Sequence, residues 1–247
     1  MESNESNLYE FYRLIGKGNY ASLTEYDEFS VVSGKMGAWP QMIFDFGKGV
    51  HLVNQLNKAF SMTGSTFSGN AVSNRSNFIE NDQELLRQYG IFPVGLWPMM
   101  EMNIESKPTG ESVDLDYRKL SIPSEIGAFT EMVNEGFLKK QKVEIDLFQE
   151  LVSYDEIEFH GLFYNSRLVS GLLSYTDKYN VTGLYFITTL SGCRGKGFAT
   201  ALITRVVREL FQTGSNKIVL QAFSQAIVLY TKLGFSITGE LLVFFKQ

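Results

Sequence analysis

The stretch Ser191-Gly-Cys-Arg-Gly-Lys-Gly-Phe-Ala-Thr200 decides how the chain is read. Before it runs Val181–Leu190 (VTGLYFITTL), β-branched and aromatic, a strand type of composition. After it, from Gly197 to about Phe211, Ala201, Leu202, Val206 and Leu210 recur at helical spacing. Glycines at such a junction let the backbone take conformations closed to other residues and approach a ligand closely. The amides that open the following helix lack intrahelical partners and carry the positive end of its dipole. Arg194 and Lys196 add charge. Together these features suit an anion, and a pyrophosphate in particular.

Two familiar phosphate loops fit poorly. A nucleotide P-loop needs Lys-Ser/Thr after its last glycine, whereas Gly197 is followed by Phe198. The dinucleotide fingerprint needs a third glycine, and Gly195-Lys-Gly197 is followed by Phe-Ala-Thr with no acidic residue at the usual distance.

Working outward, Lys217–Phe223 (KIVLQAF) reads as a buried strand and Gln225–Leu233 as a short helix capped by Gly234. Phe235–Phe245 closes the chain with one or two strands. Upstream, Ile157–Tyr164 and Leu168–Tyr175 read as strands joined by Asn165-Ser166-Arg167, with a further turn at 177–180. Ser124 is positioned to cap a helix carrying Ile126, Phe129, Met132, Val133 and Phe137, and a second helix runs from about Gln141 to Leu151. Val113–Leu120 reads as a short strand. The order is strand, two helices, three strands, helix, strand, helix, strand: a mixed α/β fold (α+β mixed sheet) with a largely antiparallel start.

This half resembles the GNAT N-acetyltransferase superfamily. The family's Gln/Arg-x-x-Gly-x-Gly/Ala signature is met by Arg194, Gly197 and Ala199. A second signature, Ala-Ile-x-Leu-Tyr-x-x-x-Gly-Phe, is met by Ala226 to Phe235. The resemblance implies a GNAT-like acyl-CoA N-acyltransferase fold and acetyl-CoA as cosubstrate. It implies that Ile187, Thr188 and Thr189 pair with the pantetheine arm. It implies that Arg194, Gly195, Lys196, Gly197, Phe198, Ala199 and Thr200 hold the coenzyme A pyrophosphate. Tyr230 falls where many members have the tyrosine that protonates the departing thiolate, a phenol's ordinary role as acid. The reaction would be direct attack of an amine, with a backbone amide near Thr188 or Thr189 steadying the oxyanion.

There are departures from the family. Phe223 stands where many members carry an asparagine, with Ser224 a candidate cap beside it. Thr189 replaces valine, and Ser191-Gly192 replaces a proline-containing turn. No acid lies on Val181–Leu190, so Glu158, His160 and Glu240 are candidates for the general base, as is a water relay.

The break Glu105-Ser-Lys-Pro-Thr-Gly-Glu-Ser112 has linker composition. It divides the chain into an N-terminal α/β domain, 1–110, and the acetyltransferase-like domain, 111–247. In the first part Phe29–Val32 and Gln41–Phe46 read as strands, Leu52–Phe60 and Asp82–Tyr89 as helices, and a strand lies around Trp97–Met102. The helix, Gly90 and apolar strand repeat the pattern at the end of the chain. That suggests a divergent, GNAT-like second copy without shared motif residues.

Composition bounds the rest. The 247 residues equal about 1.6 typical domains. They are 44% hydrophobic, enough for a sizeable core and incompatible with wholesale disorder. One cysteine allows neither an internal disulfide nor a structural zinc site, and His51 and His160 have no ligand spacing. No metal is expected. Cys193 lacks an activating neighbour in sequence and reads as packing. The N-terminus has no signal-peptide pattern and no 18-residue apolar run occurs, so a cytoplasmic protein without a membrane span is expected. Net charge −5 argues against nucleic acid. Residues 1–114 carry −6 and residues 115–247 carry +1, an asymmetry that suits a cationic ligand or merely a solvated acidic face. Trp39, Phe44, Phe46 and Trp97–Met102 are either core or the wall of an acceptor pocket. The expected partner is a small-molecule or peptide amine. Rival readings are an acyl-CoA-binding sensor without turnover, and an interaction module using the acidic half.

Overall fold

Apolar residues recurring along NLYEFYRLI make the first helix amphipathic, and α1 (Ser3–Gly16) buries Leu8, Phe11, Tyr12 and Ile15 against the centre of a sheet. The computed structural model describes residues 3–47, 51–64, 67–79, 82–103, 105, 115–136 and 141–247. The sequence reading assigned no helix to 3–16.

Strands β1 (Ala21–Glu25), β2 (Ser30–Gly34) and β3 (Gln41–Phe44) form a meander. Helix α2 (Leu52–Thr63) leads to β4 (Asn70–Asn74), which lies parallel to β3. Helix α3 (Gln83–Gln88) precedes β5 (Ile91–Asn103), a strand of 13 residues and longer than 97–102 suggested.

Residues 115–247 add a further set of strands and helices. This set opens with β6 (Asp116–Leu120), α4 (Pro123–Gly136) and α5 (Ile145–Leu151). Pro123 takes the first helical position, where its missing amide costs nothing, so Ser124 lies inside the helix rather than capping it. Strands β7 (Ile157–Tyr164) and β8 (Arg167–Thr176) are joined by Asn165 and Ser166, both at positive φ as a tight hairpin demands. Then come β9 (Val181–Thr189), α6 (Phe198–Gln212), β10 (Lys217–Gln221), α7 (Ile227–Lys232) and β11 (Ser236–Lys246). Ser224 makes no capping bond; a 3-10 turn over 224–226 precedes α7. Gly234 is left-handed, as a helix stop requires. The end of the chain is one strand with irregularities at Ile237/Gly239 and Val243/Phe244.

Among the described residues, eleven strands join one mixed sheet in the order β1-β2-β3-β4-β11-β5-β10-β9-β8-β7-β6. The order is nearly the same from either edge. A meander ending in β3 or β9, a helix, and a parallel strand β4 or β10 occur on each side. The last strand of each half sits on the other half's parallel strand: β11 on β4, and β5 on β10. Of the expected linker 105–112, residues 106–112 lie outside those described, as do Val113, Asp114 and Phe137 of the expected elements.

Helices cover both faces. Alternation along β11 sends Leu241 and Val243 to the α1/α4/α5 side, and Leu242 and Phe244 to the α2/α3 side. Helix α6 packs on the same side as α2, with Leu202, Ile203, Val206 and Val207 fully buried over Leu172, Leu184 and Ile218. At about 25 cal/mol per Å2, side chains of this size contribute roughly 1.5–3 kcal/mol each. No helix among the described residues is long and apolar enough to cross a membrane.

Candidate functional site

Strands β9 and β10 pair for only three residues, Lys217 with Val181, Ile218 with Thr182 and Val219 with Gly183. Beyond Gly183 they part. Leu184–Thr189 stay on β8, while Leu220 and Gln221 stay on β5. The cause is local. Between Tyr185 and Thr188, β9 has one residue more than β8 has between Gly171 and Leu173, a bulge with Phe186 at φ 52°. On β10 the Leu220 carbonyl accepts from Asn4 Nδ2 at 3.1 Å, and the Ala222 amide donates to Pro98.

A cleft of about 670 Å3 occupies this wedge. It is large enough for a substrate-sized molecule, pockets for which usually measure ~300–1,000 Å3. Ile187, Thr188, Thr189, Arg194, Ala199 and Tyr230 all line it. Gly195, Lys196 and Gly197 are not in the lining; exposed, they link Arg194 to Ala199 along its rim. Thr200 is exposed on the first turn of α6, and the Phe198 side chain turns inward onto Tyr164 at 5.5 Å, leaving only its amide towards the turn.

The rim has the shape of a cradle. Gly195 and Gly197 have φ 73° and 83°, values that glycine adopts at little cost. A Cβ built on Gly192, Gly195 or Gly197 would meet nothing within 4 Å. Gly197 precedes α6 without a side-chain cap, so that helix presents its opening amides to whatever fills the space. Arg194 is tethered by Nε to the Thr189 carbonyl at 3.1 Å. The turn therefore fits a pyrophosphate sterically and electrostatically, and the unpaired length of β9 leaves room for an extended chain beside it.

Tyr230 reaches the cleft from α7. It is buried, packs edge-on against Phe235 at 5.9 Å, and burial pushes its phenol up to about 12. At any ordinary pH it holds a proton. Cys193 is half-buried against the α6 cluster.

None of the three candidate bases lines the cleft. His160 is fully buried under α6, with Nδ1 2.9 Å from Tyr117 Oη and Nε2 2.8 Å from Ser174 Oγ. Burial drives its pKa down to about 3, so it is neutral. Glu158 pairs with Lys119 at 2.6 Å, and Glu240 with Arg75 at 3.5 Å. His51 pairs with Asp82 at 3.1 Å in the other half.

The far wall of the cleft is aromatic. Trp39 and Trp97 line it, whereas Phe44, Phe46, Met99, Met100 and Met102 are core. Leu8, Phe11 and Tyr12 of α1 complete that wall, and sequence reasoning missed all three. Their helical spacing was the available signal. Helix α1 is held there by Asn7, fully buried, whose Nδ2 donates to Val181 O at 2.9 Å and Asp177 Oδ2 at 3.1 Å. Its Oδ1 accepts from Tyr185 Oη at 2.7 Å. A Cβ on Gly183 would come within 2.2 Å of that Oδ1, so glycine is what permits the close approach of α1.

The family model described as "Acetyltransferase (GNAT) family" matches residues 127–235, which contain the wedge, the cradle and Tyr230. No curated protein matches the chain. Among solved structures, a GCN5-related N-acetyltransferase from Kribbella flavida superposes with TM-score 0.72 at 12% identity, covering 99% of this chain and 96% of that one. A functionally unknown conserved protein from Staphylococcus epidermidis gives 0.70 at 15% identity, with 96% of each chain covered. A GCN5-related N-acetyltransferase from Sphaerobacter thermophilus gives 0.65 at 15%, covering 96% of this chain and 84% of that one. The chain has the fold of the GNAT acetyltransferases, and residues 127–235 carry that family's sequence pattern.

Proposed function

We propose that the protein is an acetyl-CoA-dependent N-acetyltransferase acting on an amine. The observation that carries this reading is the conjunction of parted β9 and β10 with the open glycine cradle at the start of α6. Arg194 and the amides of Gly195 to Thr200 hold the pyrophosphate. Ile187 to Thr189 offer backbone to the pantetheine arm. Acetyl-CoA supplies the activated acyl group as a thioester. Tyr230, kept protonated by burial, gives its proton to the leaving sulfur and is reprotonated from solvent. A β9 amide near Thr188 or Thr189 receives the developing oxyanion. With Glu158, His160 and Glu240 engaged elsewhere, the amine proton leaves through water.

The N-terminal part, 1–110, is in this reading a divergent copy of 111–247 that has exchanged its last strand with it. The near-symmetric strand order supports the copy. The first copy lends the site α1, Trp39 and Trp97. Incubation with acetyl-CoA and a panel of amines, read by thiol release and product mass, tests the activity. Acetyl-CoA binding with no product from any amine would remove the transferase reading.

A further inference from the structure

The acceptor end of the cleft has a composition that restricts what it takes. Trp39 stands edge-on to Phe186 at 4.8 Å, and Phe186 edge-on to Phe148 at 5.2 Å. Tyr12 lies 6.4 Å from Trp39, and Phe11 stacks on Tyr185 at 4.3 Å and 15°. Trp97 faces the same space from β5. These rings come from both halves of the chain and meet at the β9 bulge, next to Ile187–Thr189. The Trp39 amide donates to Lys142 O at 3.0 Å, which fixes that loop on the segment before α5. Among the described residues, Arg194 is the one charged side chain in the lining, and it stands at the cradle end. Burial keeps the Tyr12 and Tyr185 hydroxyls protonated, so neither offsets a cation.

We propose that this aromatic wall selects an arylamine, a primary amine attached directly to an aromatic ring. This rests on the acetyltransferase reading above. A flat ring lies against the partly exposed Trp39, Trp97 and Phe186, with the packed pairs behind them as a rigid backing, and each new ring pair contributes about 0.5–1.5 kcal/mol beyond the area buried. The nitrogen lone pair is delocalised into the ring, so the amine is uncharged at neutral pH. It can enter an uncharged pocket without the desolvation cost that an ammonium meets. It also needs no base to become nucleophilic. In the reaction the nitrogen forms a bond to the acyl carbon and the carbon–sulfur bond breaks. One proton passes from nitrogen to water and one from Tyr230 to sulfur, giving the N-aryl acetamide and free coenzyme A.

The test compares aniline, benzylamine and cyclohexylamine by calorimetry, with and without coenzyme A. It also follows acetylation of aniline against pH. Aniline is expected to bind at least ten-fold more tightly than cyclohexylamine, with benzylamine between them. Trp39→Ala should weaken aniline at least five-fold, and Trp39→Phe should stay within about three-fold. Acetylation of aniline should have a kcat/KM that is flat from about pH 6 to 9, because neither the amine nor Tyr230 titrates there. Equal or tighter binding of cyclohexylamine, or an unchanged affinity in Trp39→Ala, overturns the proposal. Failure of coenzyme A itself to bind would instead sink the acetyltransferase reading, and the aniline-to-cyclohexylamine ratio would still judge the pocket.

Discussion

Asn7 ties α1 to the strand that opens the cleft, and Asn7→Ala should therefore cost more than an ordinary polar truncation. Three bonds are lost. The Val181 carbonyl keeps a second donor in the Asp177 amide, so its loss is small. Asp177 keeps two backbone donors, Tyr179 N at 2.8 Å and Val181 N at 3.1 Å, on its other oxygen. Among the described residues, Asn7 Oδ1 is the acceptor shown for the Tyr185 hydroxyl, at 2.7 Å. An unpaired buried hydroxyl costs about 1–3 kcal/mol, and a bond to a charged group contributes about 1.5–3. With partial relaxation the sum is about 2–4 kcal/mol. For a chain of this size each kcal/mol moves Tm by about 2–4 °C, so a fall near 10 °C is expected. Urea unfolding of Asn7→Ala, Tyr185→Phe and the double variant measures it. The cycle should show a coupling of about 1 kcal/mol, since the two side chains share one bond. A loss below about 0.5 kcal/mol in Asn7→Ala would refute the view that this contact anchors α1.

Three further outcomes follow from the geometry. Tyr230→Phe should lower kcat by about 100-fold while leaving acetyl-CoA affinity within about two-fold, by steady-state kinetics and calorimetry. With its phenol at about 12, Tyr230 should cause no loss of wild-type rate up to about pH 10. His160 has a folded pKa of about 3, below its ordinary 6.5, so the unfolded chain takes up a proton the native state refuses. Stability should fall as pH drops below about 6.5, by up to about 1.4 kcal/mol per unit. His160→Gln should flatten the urea midpoint between pH 6 and 5, and an unaltered slope would show that the imidazole is not the cause.

The glycine turn before α6 was legible in sequence because it is local. Arg194 to Thr200 are contiguous, and glycines at positive φ leave a signature that survives without tertiary context. The strands and helices of 157–236 were legible for the same reason, since their hydrophobic periods are regular. The aromatic wall was not. It joins Phe11 and Tyr12, Trp39, Trp97 and Phe186, which are far apart in the chain and meet through the packing of α1 on β5 and β9. Trp39 and Trp97 read equally well as core, and only position separates them from Phe44 and Met99. The candidate bases Glu158 and His160 on β7 and Glu240 on β11 lie away from the cleft, and residue type says nothing about which face of a strand a side chain takes. His160 faces α6, where Tyr117 and Ser174 occupy both ring nitrogens.

The central claim is that the turn before α6 binds a pyrophosphate. Calorimetric titration of the wild type and Gly197→Glu with acetyl-CoA tests it most directly. A Cβ at Gly197 meets no protein atom within 4 Å, so the variant should fold, at a cost of about 1–2 kcal/mol for a left-handed non-glycine residue. Its carboxylate would project into the anion cradle. The account predicts saturable binding to the wild type and at least a hundred-fold weaker binding to Gly197→Glu. Equal affinity in a folded variant, or no binding to the wild type, would contradict it.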